Sequence, residues 1–174
     1  MMSDRDLLKR LGSGEAIDAL CAGQSWTREE FDGWWNRLAA ERVPATDCPV
    51  VTGVTSAVRI ARDERGIPHV LAENDEDLFL AFGFAMAQDR LFQLDYLRRK
   101  GLGELAEILG PDGLENDRVV RTVGLNRIAT AHWDALPEEP RRLVEAFTRG
   151  VNTLLDQLDD DHFPIECDLL DYRP

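Results

Sequence analysis

Leu78-Phe79-Leu80-Ala81-Phe82-Gly83-Phe84-Ala85-Met86-Ala87 runs ten residues without one polar side chain. The pattern turns helical from Asp75, is interrupted by Gln88-Asp89-Arg90, and resumes an apolar face with Leu91, Phe92, Leu94 and Leu97 before ending near Lys100-Gly101. The apolar run is too short for a bilayer, which takes about 20 such residues, and too apolar for a half-exposed surface helix. It is expected to be buried on nearly every side. The polar interruption then falls mid-helix, where a buried charge without a partner is costly. Asp89 and Arg90 are therefore expected in a buried hydrogen-bonded network tying this helix to its neighbours, a structural role favoured over a catalytic one.

Working outward, Val58-Arg59-Ile60-Ala61-Arg62 and His69-Val70-Leu71-Ala72 are two short strands around Asp63-Glu64-Arg65-Gly66-Ile67-Pro68, a turn in which Gly66 can take positive φ. An isolated hairpin is marginal in water, and no other segment has a strand pattern, so this one needs a sheet supplied from elsewhere. On the other side lie a short helix over Glu104 to Leu109, a segment from Val123 to Trp133 and a helix from about Glu139 to Leu158. These are too few neighbours for a helix buried all round, and the chain looks like part of a larger core.

The first 50 or so residues are punctuated differently. Gly12-Ser13-Gly14 separates a Leu7 to Leu11 segment from an Ala16 to Ala22 segment. Thr27-Arg28-Glu29-Glu30 has capping-box spacing and starts a helix to about Glu41, with Trp26 placed to staple onto Phe31. Phe31, Trp34, Trp35 and Leu38 recur at spacings of three and four, one apolar stripe that docks the helix onto the body of the protein. Val43 to Ser56, with Pro44, Pro49 and Gly53, is a connector, so residues 1–50 are assigned to a helical N-terminal extension and 51–174 to a second unit.

With 174 residues, 44% hydrophobic and 30% charged, the composition is that of a globular chain. Its 20 Lys and Arg against 33 Asp and Glu give a net charge of −13, which repels phosphate backbones and anionic membranes. Cys21, Cys48 and Cys167 are scattered, with neither disulfide-framework nor zinc spacing, and His69, His132 and His162 form no ligand pattern. Asp159-Asp160-Asp161-His162 lacks the alternation of a calcium loop and is a solvated acidic turn. No Gly-x-Ser-x-Gly elbow, Walker loop or dinucleotide fingerprint occurs. The start, Met-Met-Ser-Asp-Arg-Asp-Leu-Leu, has no secretory leader pattern, and a cytoplasmic location is expected.

Val58 to Val70, followed by Ala81-Phe82-Gly83-Phe84-Ala85-Met86-Ala87-Gln88-Asp89-Arg90-Leu91-Phe92-Gln93-Leu94, closely resembles the α-chain of the penicillin acylase family of N-terminal-nucleophile hydrolases. Arg98-Arg99, Gly103-Glu104-Leu105-Ala106-Glu107, Gly150-Val151-Asn152 and Leu169-Leu170-Asp171-Tyr172-Arg173-Pro174 follow in the family's order. The resemblance implies an α+β class: a mostly helical α-chain with a β-hairpin, completed by a β-chain into a four-layer αββα sandwich. It implies a precursor that cuts itself, and a serine at the start of the companion β-chain that attacks an amide carbonyl with its own α-amino group as base. On that basis this chain contributes no catalytic, cofactor-binding or metal-ligating residue. No cofactor is required, and a structural calcium ion, where a member has one, is expected on the companion chain. Partners are that β-chain and a small N-acyl amide such as a β-lactam, an acyl-homoserine lactone or a lipopeptide-like amide, with no nucleic acid and no membrane. Two other readings stay open: a non-catalytic helical scaffold that binds through the helix bearing Trp34 and Trp35, and a free-standing acidic helical domain, which the Leu78 to Ala87 run disfavours because it would leave apolar surface exposed.

Overall fold

The structure is a computed structural model, and it describes residues 2–43 and 51–174. Much of the connector, including Pro44, Cys48, Pro49 and the boundary assigned near residue 50, lies outside them. Three helices come first: α1 (Asp4–Gly12), α2 (Ile17–Gln24) and α3 (Arg28–Glu41). The hairpin β1 (Val58–Arg62) and β2 (Pro68–Ala72) leads into the long α4 (Asp75–Leu102). Then come α5 (Ala106–Leu109), a 3-10 turn over Gly110–Gly113, α6 (Leu114–Val123), α7 (Leu125–Ala135), α8 (Glu138–Gln157) and α9 (Ile165–Leu169).

Local chemistry sets the ends of these elements. Both halves of the capping box form at α3: Thr27 Oγ1 accepts from Glu30 N and the Glu30 carboxylate accepts from Thr27 N. Trp26, however, packs on Trp34 with ring centroids 5.6 Å apart, one helical turn beyond the expected staple partner Phe31. Ser3 and Asp6 make the same reciprocal cap on α1. In the hairpin turn Gly66 has φ +76°, and the Asp63 carboxylate accepts from Arg65 N and Ile67 N, both at 2.9 Å. The strands pair antiparallel from Val58 with Ala72 to Arg62 with Pro68, so the second strand starts one residue earlier than its alternation suggests.

Helix α4 packs along α8, and glycines set how closely. A Cβ on Gly83 would run into the carbonyl oxygen of Phe147, and one on Gly150 into that of Leu80, so backbone meets backbone at two levels. Around this seam Ile60, Ala81, Phe84, Ala85, Ala87, Leu91 and Leu154 form one core, each large side chain contributing about 1.5–3 kcal/mol when fully buried. Glu138 and Glu139 sit in the first turn of α8, where they favour its dipole, and Pro140 is tolerated there because first-turn N–H groups have no intrahelical partner. A second core joins Leu7, Leu8, Leu20, Phe31, Trp34 and Leu38 of the first three helices, with Ile165 and Leu169 of α9 packed against it.

The hairpin is tied to the start of α4 by Asp77. This buried carboxylate accepts from Thr55 N, Thr55 Oγ1, Ser56 N and Asn74 Nδ2 at 2.7–2.9 Å. Burial pushes it toward protonation, but the four donors together outweigh that and hold it below the usual carboxylate value of 3.8. A depressed folded-state value means that the stability it contributes is present above the unfolded value and is lost as pH falls through the folded one. We expect Asp77→Ala to remove this acid-dependent component and to release Thr55 and Ser56, read as faster amide exchange there at pH 7 and a flatter stability profile below pH about 4. Gly83→Ala and Gly150→Ala should each destabilise by about 1–3 kcal/mol by forcing α4 from α8. Gly101→Ala, whose Cβ meets open space, should be neutral or stabilising by up to about 1 kcal/mol. Denaturant melts of the three variants check this.

Candidate functional site

Site features converge on the middle of α4. Arg90 has φ −140° and ψ 26°, so the helix breaks there without proline or glycine. Just before the break, Arg62 of β1 reaches across from the hairpin. Its side chain is 6% exposed and bonds Asp89 at 2.8 Å, Gln88 Oε1 at 3.2 Å and the Gly66 carbonyl at 2.8 Å. Arg62 is the cation that satisfies the polar interruption, and nothing in the spacing of the sequence marks it as Asp89's partner.

The expectation of a buried network is corrected for both residues. Asp89 has a partner but is itself exposed, the buried member of the pair being Arg62, and Arg90 is exposed at the kink. It borders an open cleft of about 610 Å³ between α3, the α4 kink, the end of α8 and α9, whose walls include Trp35, Arg42, Phe92 and Ile165. The run from Leu78 to Ala87 is likewise buried on most sides but not all: Phe82 is 44% exposed. Half-buried Met86 lies one turn on from it, and beyond the kink Gln93 and Leu97 are exposed, again four apart. Leu71 and Ile67 on the hairpin are exposed as well, and the hairpin is the whole of the sheet among the described residues.

Cys21 and Cys167 are free and buried, and burial pushes the Cys167 thiol up to about 11, away from the reactive thiolate. His69 lies 3.6 Å from Asp63, and His162 bonds Asp159 within the acidic turn. Among the described residues no three His, Cys, Asp or Glu side chains gather to hold a metal. Trp34 is buried and donates its Nε1 to Asp4 at 2.9 Å. The aromatic stripe of α3 is thus core, and the scaffold reading loses one of its two binding tryptophans.

The family model for penicillin amidase matches residues 57–174, about two thirds of the chain. The chain belongs to the penicillin amidase family. It is 38% identical over 137 residues to the penicillin acylase 2 proenzyme of Pseudomonas sp. (strain SE83), covering 79% of this chain and 17% of that protein. It is 33% identical over 170 residues to the acyl-homoserine lactone acylase QuiP of Pseudomonas aeruginosa, covering 96% of this chain and 19% of that one. A thermostable penicillin G acylase from Alcaligenes faecalis superposes with a TM-score of 0.64 at 31% identity, over 70% of this chain and 65% of the other. The chain therefore spans less than a fifth of the length of these two curated relatives. The match to QuiP takes in almost the whole chain, the N-terminal helices largely included. Within this family segment lie the hairpin, the kinked helix and their exposed faces, and the fold is the mostly helical, one-hairpin arrangement expected of it.

The kink separates two arginines by role. Arg62→Leu should strand Asp89 and the Gly66 carbonyl, costing about 1–3 kcal/mol, and speed amide exchange across Ile67 to Val70. Arg90→Leu removes an exposed side chain and should leave that exchange unchanged; hydrogen exchange on both variants separates the two.

Proposed function

We propose that this chain is the α-subunit of a self-processed amide hydrolase whose nucleophile stands on a companion β-chain. The observation that carries the reading is the family match over residues 57–174 of a chain that leaves its α4 stripe and hairpin uncovered. A two-stranded sheet is marginal alone, and a sheet from the companion chain would complete it within an αββα sandwich. That sheet would also cover Phe82 and the outward face of α4, as the apolar sequence there demands.

In this reading the companion's N-terminal serine attacks the amide carbonyl, its α-amino group takes the proton, and oxyanion donors on the same chain stabilise the tetrahedral intermediate. Water then releases the acyl group. No cofactor enters, and a structural calcium ion would belong to the companion. This chain's part is support, which agrees with the burial of Cys21 and Cys167 and with the carboxylates beside His69 and His162. Relatives named as penicillin acylase and acyl-homoserine lactone acylase favour a small N-acyl amide as substrate. The net charge of −13 disfavours nucleic acid as a partner.

Intact mass and N-terminal sequencing of everything that copurifies with the chain tests this. The expected result is a second polypeptide beginning with serine, and amidase activity that disappears when this serine is replaced by alanine. A chain that purifies alone, folded and monomeric, would overturn the reading in favour of a scaffold.

A further inference from the structure

The first three helices lie outside the segment matched by the family model, yet they hold that segment's last residues. Asp168 of α9 is 2% exposed and draws cations from three separate parts of the chain. Arg42, just past α3, donates to it at 2.9 Å; Arg173 forms an ion pair with it at 2.8 Å; Arg5 of α1 lies 3.7 Å away. Arg42 also donates to the Phe163 carbonyl at 2.7 Å, just ahead of α9, and Lys9 of α1 pairs with Asp171 at 2.6 Å, just after it. Polar ties thus fall on both sides of α9 and at its centre.

Apolar packing repeats the arrangement. Ile165 and Leu169 complete the core of α1–α3, and the end of α1 presses on α9 so closely that a Cβ on Gly12 would run into the Leu169 carbonyl. The far side of the same segment is held by α4: Tyr172 lies against Phe92 and under the Arg99 guanidinium, with the Arg173 guanidinium over Phe163. We infer that α1–α3 is a clamp that fixes the segment from Phe163 to Pro174 against α4, acting through Asp168 and the Gly12 contact. By fixing α9 it also fixes the wall of the cleft opposite Arg90 and Phe92, since Ile165 and Leu169 form that wall. The N-terminal helices are then a working part of the fold. This holds whether or not the amidase reading does.

Gly12 supplies a clean wedge. Alanine suits a helix better than glycine, so Gly12→Ala leaves α1 sound and disturbs only its contact with α9. Hydrogen exchange of the full protein, with its companion where there is one, should show residues 163–174 opening about tenfold more often or beyond, with the β-hairpin and the Leu78 to Ala87 turns unchanged. Asp168→Asn, which removes the charge the three arginines share, should open the same segment. Gly33→Ala lies on the same unit with open space around its Cβ and should change nothing in 163–174. Wild-type exchange at 163–174 in both Gly12→Ala and Asp168→Asn overturns the clamp. So does a rise spread evenly over the hairpin and α4, which would make α1–α3 a source of general stability only, or an equal rise in Gly33→Ala.

Discussion

The backbone contact between α4 and α8 is the constraint on which the rest of this chain depends. Two glycines, Gly83 and Gly150, let the helices approach until carbonyl oxygens occupy the space of side chains. Ala81, Phe84, Ala85, Ala87 and Leu91 of α4 share one core with Ile60 of the hairpin and Leu154 of α8. Leu80 is buried as well, whereas Phe82 and Leu97 are turned outward. Phe82 reaches Phe147 at 5.5 Å and is still half open. Close backbone packing and exposed apolar side chains thus occur on one helix.

Much of this was legible in the sequence because it rests on local rules. The capping box fixed the start of α3, the Asp63 to Gly66 turn fixed the hairpin, and the unbroken apolar run fixed α4. Less was legible where a residue's role depends on something far along the chain. Glycine within a helix is a weakness by propensity, and only the partner helix shows Gly83 and Gly150 to be contacts. The break at Arg90 has no proline or glycine to announce it. Arg62, four residues before Gly66 in an unremarkable strand, is the ion partner of a residue in α4, a pairing that requires the hairpin to be folded first. Of the candidate site, the Gln88-Asp89-Arg90 position was legible and its geometry was not: side-by-side charges suggested one shared network, whereas the kink sends them to different surroundings.

Buried carboxylates were hidden for another reason. In a chain with 33 acidic residues nothing in composition separates those that stay in water from those that do not. Asp77, Asp95, Asp117 and Asp168 are the buried ones among the described residues, and they are satisfied in two ways. Asp77 accepts from two backbone N–H groups and two side chains, and Asp117 from the backbone N–H groups of Leu105 and Ala106 at 2.9 and 2.8 Å. That arrangement organises neighbours. Asp95 and Asp168 are met by arginines: Asp95 accepts from Arg98 and Arg99, and Asp168 accepts from Arg42 and forms an ion pair with Arg173. The long, planar guanidinium can bridge segments that a backbone amide cannot reach.

This use of arginine also explains the surface. Arg42, Arg62 and Arg99 are largely covered, and Arg121 donates to the Gly103 carbonyl that ends α4. The covered arginines are offset by the buried carboxylates, so the exposed surface keeps the acidic excess of the chain. An anionic polymer meets an unfavourable potential over such a surface. The faces left uncovered are instead apolar, on α4 and on the hairpin, where association is driven by loss of water from nonpolar groups and is insensitive to that field. Charge and packing thus agree with the companion proposed above, an apolar protein surface that would extend the hairpin.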